Sequence, residues 1–176
     1  MLELILMRHA KSDLPDKALG DFDRTLSKRG KTDAPRMGRE LAGRGLIPEK
    51  VLCSPARRAR ETLKLILEEM KAGPSVVYDE TLYTFGDGLA YLERLRREKH
   101  GAPLMLMGHN PSVQNLALRL GTRGDPALLA AIGRKFPTAA AAIIILPEDD
   151  WSELSPGPEI SGELKLFLTP KTLDAL

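Results

Sequence analysis

Two histidines each follow a short apolar run, and one of them has an arginine beside it. The run 2–7 ends in Arg8 and His9, and the run 104–107 is followed by a glycine and then His109. Short apolar runs that end in polar residues are typical of buried parallel strands. Ligands of open α/β sheets bind at the carboxyl ends of such strands. A histidine beside a fixed positive charge stays neutral and nucleophilic, and the donor fork of arginine matches phosphate.

A further arginine lies at a predicted helix start. Ser54 and Pro55 follow the apolar residues 51–53, and we expect Ser54 to cap a helix whose first residue is Pro55. Arg58 then falls in the first turn, just beyond a strand end, where a helix N-terminus attracts anions. Arg58 is therefore a second candidate ligand for phosphate. The neighbouring Arg57 and Arg60 point in other directions on the helix, and we expect them to be partly solvated.

The predicted elements alternate between strand and helix along the chain. Strands are predicted at 2–7, 51–53, 75–78, 104–107, 139–146 and 163–168, the last at the edge of the sheet because its apolar and charged residues alternate. Helices are predicted at 27–44, from Pro55 to about 70, from about 88 to 99, from 111 to 120 and at 126–132, with loops at 11–24, 121–125 and 147–162. Pro35 is expected to mark a kink or a later start of the first helix, and His100 to be a structural residue at a helix end. The alternation indicates a three-layer α/β/α sandwich with a mostly parallel central sheet.

Composition limits the classes of protein that the chain can represent. With 176 residues, of which 43% are hydrophobic and 28% charged, we expect one soluble domain that covers residues 1–176. The net charge of +2 favours neither nucleic acid nor a membrane surface. Cys53 is the one cysteine, so no internal disulfide can form. Glu3 interrupts the first apolar run, which is unlike a signal peptide, so a cytoplasmic protein is expected, and its size suits a monomer.

Several other catalytic patterns do not fit the sequence. An arginine that closes a cysteine-phosphatase loop would have to stand at position 59, which is alanine, so Cys53 is interpreted as a small packing residue. The chain has no glycine-rich loop with Gly-Lys-Ser/Thr, and no Gly-x-Ser-x-Gly motif. Three histidines without paired spacing do not indicate a zinc site.

The motifs resemble those of the histidine phosphatase superfamily, which is also called phosphoglycerate-mutase-like. The resemblance is carried by Leu-Met-Arg-His at 6–9, Leu-Ser-x-x-Gly at 26–30, Ser-Pro-x-x-Arg-Ala-x-Glu-Thr at 54–62 and Gly-His-Asn at 108–110. The motifs occur in the order of the family and span most of the chain. The short length, Arg-His-Ala-Lys-Ser at 8–12, Asp23-Arg24 and Phe-Pro-Thr at 136–138 resemble the SixA-type phosphohistidine phosphatases.

This resemblance implies a phosphatase with a phosphoglycerate-mutase-like fold. His9 would attack phosphorus and become a phosphohistidine, which water then hydrolyses. Arg8, Arg58 and His109 would surround the phosphoryl group and neutralise its oxygens, without a metal ion or a cofactor. His109 is expected to be protonated when phosphate is bound, because an anion raises the pKa of a histidine. Ser12 and Asn110 are implied as further substrate contacts.

Two departures from the family pattern bear on the substrate. Ala10 stands where glycine usually follows the histidine, and Lys11-Ser12-Asp13 replaces the residues typical of mutases, which argues against a sugar-phosphate mutase. Glu80 is the positional candidate for a proton donor to the leaving group, with Asp79 and Asp87 behind it. A phosphoramidate leaving group needs less protonation than an alkoxide, so we expect Glu80 to matter more for esters.

The leading hypothesis from the sequence is therefore a phosphatase that acts on protein phosphohistidine. A phosphatase for small phosphomonoesters is the alternative within the same superfamily. A phosphate- or phosphopeptide-binding module without catalysis is a hypothesis from another class, and tight salt-dependent binding without turnover would favour nucleic acid instead.

Overall fold

The computed structural model describes residues 1–99, 101, 103–157 and 160–176. Seven strands in this part of the chain form one sheet. They are β1 Leu2–Arg8, β2 Lys50–Cys53, β3 Ser75–Tyr78, β4 Leu104–Gly108, β5 Gly121–Gly124, β6 Ala141–Leu146 and β7 Gly162–Leu168. The expectation for His100 lies outside the described residues.

The strand order is β3-β2-β4-β1-β6-β7-β5. β6 runs antiparallel to its two neighbours, and the other neighbouring pairs are parallel. Helices cover the faces of this sheet, at α1 Lys28–Gly43, α2 Arg57–Met70, α3 Leu89–Leu95, α4 Ser112–Leu120, α5 Pro126–Arg134 and α6 Pro170–Leu173. The predicted α/β architecture with a mostly parallel sheet is confirmed.

The side chains of β1 show why the fold has three layers. Leu4 and Leu6 belong to the core formed with α3, α4 and α5, whereas Ile5 and Met7 belong to the core formed with α1 and α2. Alternate residues of a strand face opposite sides of a sheet, and every one of these four side chains is fully buried. A strand that is apolar on both faces can be stable only with helices on both.

Two strand predictions were wrong at the far edge of the sheet. Residues 121–125 were predicted as a loop, but Gly121–Gly124 pairs with β7 as the edge strand β5, so β7 is an inner strand. The short sequence Gly-Thr-Arg-Gly has no apolar alternation, because residues 122–124 are exposed. Its pairing depends on backbone groups, which leave no signal in the side chains.

Helix α5 ends at Arg134, two residues beyond its predicted end, and two further helix limits also differ from the prediction. Helix α2 begins at Arg57 with Ala56 at the N-cap, and the Ser54 hydroxyl accepts a hydrogen bond from the amide of Ala56 at 3.3 Å and lies 2.7 Å from Nε2 of His109. Helix α3 ends at Leu95, four residues before the predicted end. Helix α1, by contrast, runs without interruption through Pro35.

The start of α1 is fixed by contacts with the segment after β1. Ser27 is the N-cap as predicted, and its side chain accepts a hydrogen bond from the amide of Gly30 at 3.1 Å. The amide of Ser27 donates to the carbonyl oxygen of Lys11 at 2.9 Å. A Cβ atom on Gly30 would lie 2.1 Å from that same oxygen. Gly30 therefore allows the backbone beyond the first histidine to pack directly on α1.

Replacing Gly30 with alanine should lower the free energy of unfolding by about 1–3 kcal/mol, the usual cost of extra volume in a filled space. Gly43 is the matched control in the same helix, because its Cβ would meet open space; Gly43→Ala should be neutral or stabilise by up to about 1 kcal/mol. Urea unfolding followed by the fluorescence of the buried Trp151 measures both. Equal effects of the two substitutions would contradict the close approach at Gly30.

No helix in the described ranges has the length and apolar character that crossing a membrane requires.

Candidate active site

The pairing of β1 with β4 brings the two histidines together. Arg8 is in register with Gly108, so His9 and His109 leave the sheet side by side. The amide of His9 donates to the carbonyl oxygen of Gly108 at 3.1 Å, and the two imidazole centroids are 5.1 Å apart. The amide of His109 donates to the hydroxyl of Tyr91 at 2.9 Å. A Cβ on Gly108 would lie 2.4 Å from that hydroxyl, which explains the glycine of the motif.

The hydrogen bond of His9 identifies its tautomer. Nδ1 lies 2.8 Å from the carbonyl oxygen of Ala10, and because a carbonyl can only accept, Nδ1 carries the proton. Nε2 therefore carries the lone pair of the ring. Burial, followed by the positive field of His109 and the two arginines, lowers the pKa of His9 well below its usual value. The ring is thus neutral and presents Nε2 as a nucleophile.

Arg58 lies between the two histidines. Its Nε donates to Nε2 of His9 at 3.3 Å, and its Nη2 lies 3.4 Å from Nδ1 of His109. Nη1 donates to the carbonyl oxygen of Asp21 at 2.7 Å, and Nη2 also donates to the Asp21 carboxylate at 3.1 Å. Only 2% of the Arg58 surface is exposed. The contacts to the imidazoles are long, so these donors can turn to a phosphoryl oxygen at low cost.

The later residues of the motif at 54–62 connect Arg58 to the segment that follows His9. The hydroxyl of Thr62 donates to the carbonyl oxygen of Arg58 at 2.7 Å and accepts from the amide of Ala10 at 2.9 Å. The carboxylate of Glu61 accepts from the amide of Leu26 at 2.9 Å. The spacing Arg-Ala-x-Glu-Thr thus places Arg58 in the site, and it places Glu61 and Thr62 against the loops that surround the site.

His109 is held as a neutral ring in the absence of an anion. Arg58 can only donate, so Nδ1 of His109 is the acceptor and Nε2–H donates to Ser54 Oγ at 2.7 Å. Burial and then the charge of Arg58 lower the pKa of His109 to about 3. A phosphate dianion would oppose both effects and raise this pKa. Protonation of His109 on phosphate binding stays a prediction.

Arg8 brings a second guanidinium to the site. Its Nη1 donates to the carbonyl oxygen of Phe136 at 3.0 Å, and the side-chain amide of Asn110 donates to the same oxygen at 3.1 Å. The Nε of Arg8 is buried and has no hydrogen-bond partner among the described residues. Burial and the charge of Arg58 lower the pKa of Arg8. This arrangement favours an anion near Arg8.

These side chains surround a cavity of about 180 Å³. Six of the seven residues predicted for the site line it, and the residues lining it are Arg8, His9, Lys11, Ser12, Asp21, Arg24, Arg58, Phe85, His109, Asn110 and Thr138. The seventh, Glu80, is exposed in the turn Glu80–Leu82 and is not part of the lining. The other two acid candidates are engaged elsewhere, since Asp79 pairs with Arg94 and Asp87 accepts from the amide of Leu89. The geometry therefore does not support Glu80 as a proton donor.

Asp21 is the carboxylate that does line the cavity, and sequence reasoning missed it. It accepts hydrogen bonds from Arg58, from Arg24 and from the hydroxyl of Tyr83. Partial burial raises its pKa, but the bonds from Tyr83 and the arginines lower it more, so the net shift is downward. Asp21 is one of four aspartates in a polar loop, and nothing in its spacing distinguishes it. The sequence indicates Ser54 only as a helix cap, and it gives no signal for Tyr83, because both reach the site across the fold.

Comparisons with known proteins agree with the geometry. The family model of the histidine phosphatase superfamily (branch 1) matches residues 4–87. The uncharacterized protein Rv1276c of Mycobacterium tuberculosis is 35% identical over 153 residues, which are 86% of this chain and 93% of the relative. The SixA protein of Agrobacterium tumefaciens has a TM-score of 0.78 at 27% identity, with 96% of this chain and 98% of that chain covered.

The chain belongs to the histidine phosphatase superfamily. A second solved structure, the protein histidine phosphatase SixA complexed with tungstate, gives a TM-score of 0.74 at 25% identity over 98% of this chain and 99% of that chain. These similarities, which extend over most of both chains, assign this histidine phosphatase to the SixA-type branch and support a phosphatase activity.

The neutral histidines make the stability of this histidine phosphatase dependent on pH. In the unfolded chain His109 takes up a proton near pH 6.5, but in the folded protein its pKa is about 3. The unfolded state therefore binds more protons between these values, and the free energy of unfolding falls as the pH falls. His109 alone should contribute a slope of about 1.4 kcal/mol per pH unit between about pH 6 and 4.

The variant His109→Gln, which keeps a side-chain amide near Ser54, should lose that part of the slope. Urea unfolding at three pH values in a phosphate-free buffer measures both proteins. Other titrating groups are common to the two chains, so parallel stability curves would show that His109 is not buried as a neutral ring.

Proposed function

We propose that this chain is a protein phosphohistidine phosphatase, which acts without a metal ion through a phosphohistidine intermediate on His9. The observation that supports this most strongly is the neutral Nε2 of His9 in a cavity that it shares with two guanidiniums and His109. Phosphoryl transfer depends mainly on in-line positioning and on stabilising the charge of the equatorial oxygens. Arg8, Arg58 and a protonated His109 supply that charge.

In the first step Nε2 of His9 attacks phosphorus while the bond from phosphorus to the leaving nitrogen breaks. The substrate imidazole carries a proton on its other nitrogen, so it leaves as a neutral ring. His9 becomes an N-phosphorylated imidazolium, whose Nδ1–H still donates to the carbonyl oxygen of Ala10. Water then attacks phosphorus, dihydrogen phosphate leaves, and His9 returns to its neutral tautomer.

The ionised state of the carboxylate in the cavity lining favours a phosphoramidate substrate. An alkoxide leaving group needs a proton from a general acid. The carboxylate in the lining is Asp21, whose pKa is lowered and which is bound to Arg58. A neutral imidazole needs no further proton when it leaves. The site therefore suits a nitrogen–phosphorus bond better than an ester.

The small size of the cavity favours a protein as the phosphoryl donor. Sites that enclose small molecules usually have volumes of about 300–1,000 Å³, whereas this cavity has about 180 Å³. It can hold a phosphoryl group while most of the substrate remains outside. On this proposal residues 1–176 act as one phosphatase domain on a phosphorylated protein in the cytoplasm.

The proposal predicts that the protein hydrolyses a phosphohistidine-bearing protein in the presence of a chelator, with a higher kcat/KM than for a small alkyl phosphate. Arg58→Ala should lower kcat/KM by at least about 100-fold, as the loss of a transition-state donor does. Arg57→Ala is the matched control, because Arg57 is exposed and pairs with Glu61 on the same helix; its activity should stay within about twofold, as for surface ion pairs.

A higher kcat/KM on small phosphomonoesters would instead support the alternative of a small-molecule phosphatase. Phosphate binding without turnover of any substrate would support a binding module. Equal losses in Arg57→Ala and Arg58→Ala would contradict the role proposed for Arg58.

A further inference from the structure

Three aromatic side chains, Phe22, Tyr83 and Phe85, lie together beside the cavity of His9 and His109. We call these three residues the aromatic rim. The centroid of Tyr83 is 5.2 Å from that of Phe22 and 5.3 Å from that of Phe85, with nearly perpendicular rings in both pairs. The ring of Phe85 is 5.1 Å from His109, and that of Tyr83 is 5.5 Å from His109. Phe85 lines the phosphate cavity, and Tyr83 and Phe22 pack in sequence behind it.

The rim is more exposed to solvent than the histidines of the cavity. His9 and His109 are buried, whereas the exposed fraction is 39% for Phe22 and 50% for Phe85. Phe85 and His9 line the same cavity. In an in-line displacement the leaving group departs on the side of phosphorus opposite to the nucleophile. With His9 at the buried end, the leaving group points outward, to the rim.

The rim is held in position by the same charges that hold the phosphate site. The hydroxyl of Tyr83 donates to the carboxylate of Asp21, which accepts from Arg58. The guanidinium carbon of Arg58 is also 5.9 Å from the centroid of Tyr83. Tyr83 is thus fixed, and Phe22 and Phe85 pack against it. Half of Phe85 remains open to solvent, next to a cavity that is otherwise lined mostly by charged and polar groups.

We propose that the aromatic rim is a leaving-group subsite for a planar ring, which stacks on Phe85 while its phosphoryl group lies between His9 and the arginines. Aromatic rings attract one another in offset or tilted arrangements beyond the effect of area alone. The imidazole of phosphohistidine and the phenol of phosphotyrosine share this planar chemistry. The inference rests on the proposed function for the choice of imidazole.

The test compares four phosphorylated peptides of otherwise identical sequence. Phosphohistidine and phospholysine share a nitrogen–phosphorus bond, and phosphotyrosine and phosphoserine share an oxygen–phosphorus bond; one member of each pair has a planar leaving group. The variants are Phe85→Ala, Phe85→Tyr, which keeps the ring, and Tyr78→Ala as a control. Tyr78 is 51% exposed and lies outside the lining of the His9 cavity; it lines a second cavity, which Phe22 also lines but Phe85 does not.

Phe85→Ala should lower kcat/KM by about three- to tenfold for the planar member of each pair, which is the usual size of a stacking contribution. It should leave phospholysine and phosphoserine within about twofold, and Phe85→Tyr should behave as the wild type. Inhibition by inorganic vanadate, a probe of the phosphate site alone, should be the same in all variants.

An equal loss on all four peptides, or a loss no larger than in Tyr78→Ala, would overturn the subsite. The proposed function is judged separately, from the wild type. If the wild type prefers phosphotyrosine and Phe85→Ala lowers that activity selectively, the subsite is supported and the choice of phosphohistidine is wrong. If the wild type hydrolyses none of the peptides, both proposals fail.

Discussion

The site depends on a buried guanidinium whose ion-pair partner is only half-buried. Arg58 is 2% exposed, and the carboxylate that pairs with it belongs to Asp21, whose side chain is 48% exposed. Burying a charge is costly unless hydrogen bonds and counter-charge compensate it. Arg58 donates two hydrogen bonds to Asp21 and two longer ones to the two imidazoles. A phosphoryl group would add the negative charge that compensates Arg58 further. Binding of the anion would therefore also stabilise the fold around Arg58.

The same charge explains the state of both histidines. With Arg8 and Arg58 nearby and little solvent, a protonated imidazole is disfavoured, and the pKa values of His9 and His109 are lowered. The two rings nevertheless differ in their partners. The Nδ1–H of His9 donates a hydrogen bond to a backbone carbonyl and leaves Nε2 facing the cavity, whereas the Nε2–H of His109 donates to Ser54 and Nδ1 accepts from Arg58. Different partners thus leave Nε2 of His9 free to act as the nucleophile and place Nδ1 of His109 beside Arg58, so that chemically identical side chains take different roles.

Much of the fold and the centre of the site could be predicted from the sequence, because their signals are local. Apolar runs that end in Arg8-His9 and in Gly108-His109 encode strands whose register then places the histidines together. Asp21 could not be predicted, since it reaches Arg58 and Tyr83 across loops whose paths depend on the finished fold. Glu80 was selected by its position after the third strand, but the turn that follows exposes its side chain. The edge strand β5 was missed because backbone pairing without a buried face leaves no pattern.

Chemical trapping of the phosphorylated enzyme tests the central claim most directly. The protein would be mixed with a phosphohistidine-bearing protein, quenched rapidly in alkali, digested and mapped by mass spectrometry, with His9→Ala treated in the same way. The account predicts one acid-labile phosphoryl group, on His9, which appears before free phosphate, together with loss of turnover in His9→Ala. A phosphoryl group on His109, or unchanged turnover in His9→Ala, would contradict it.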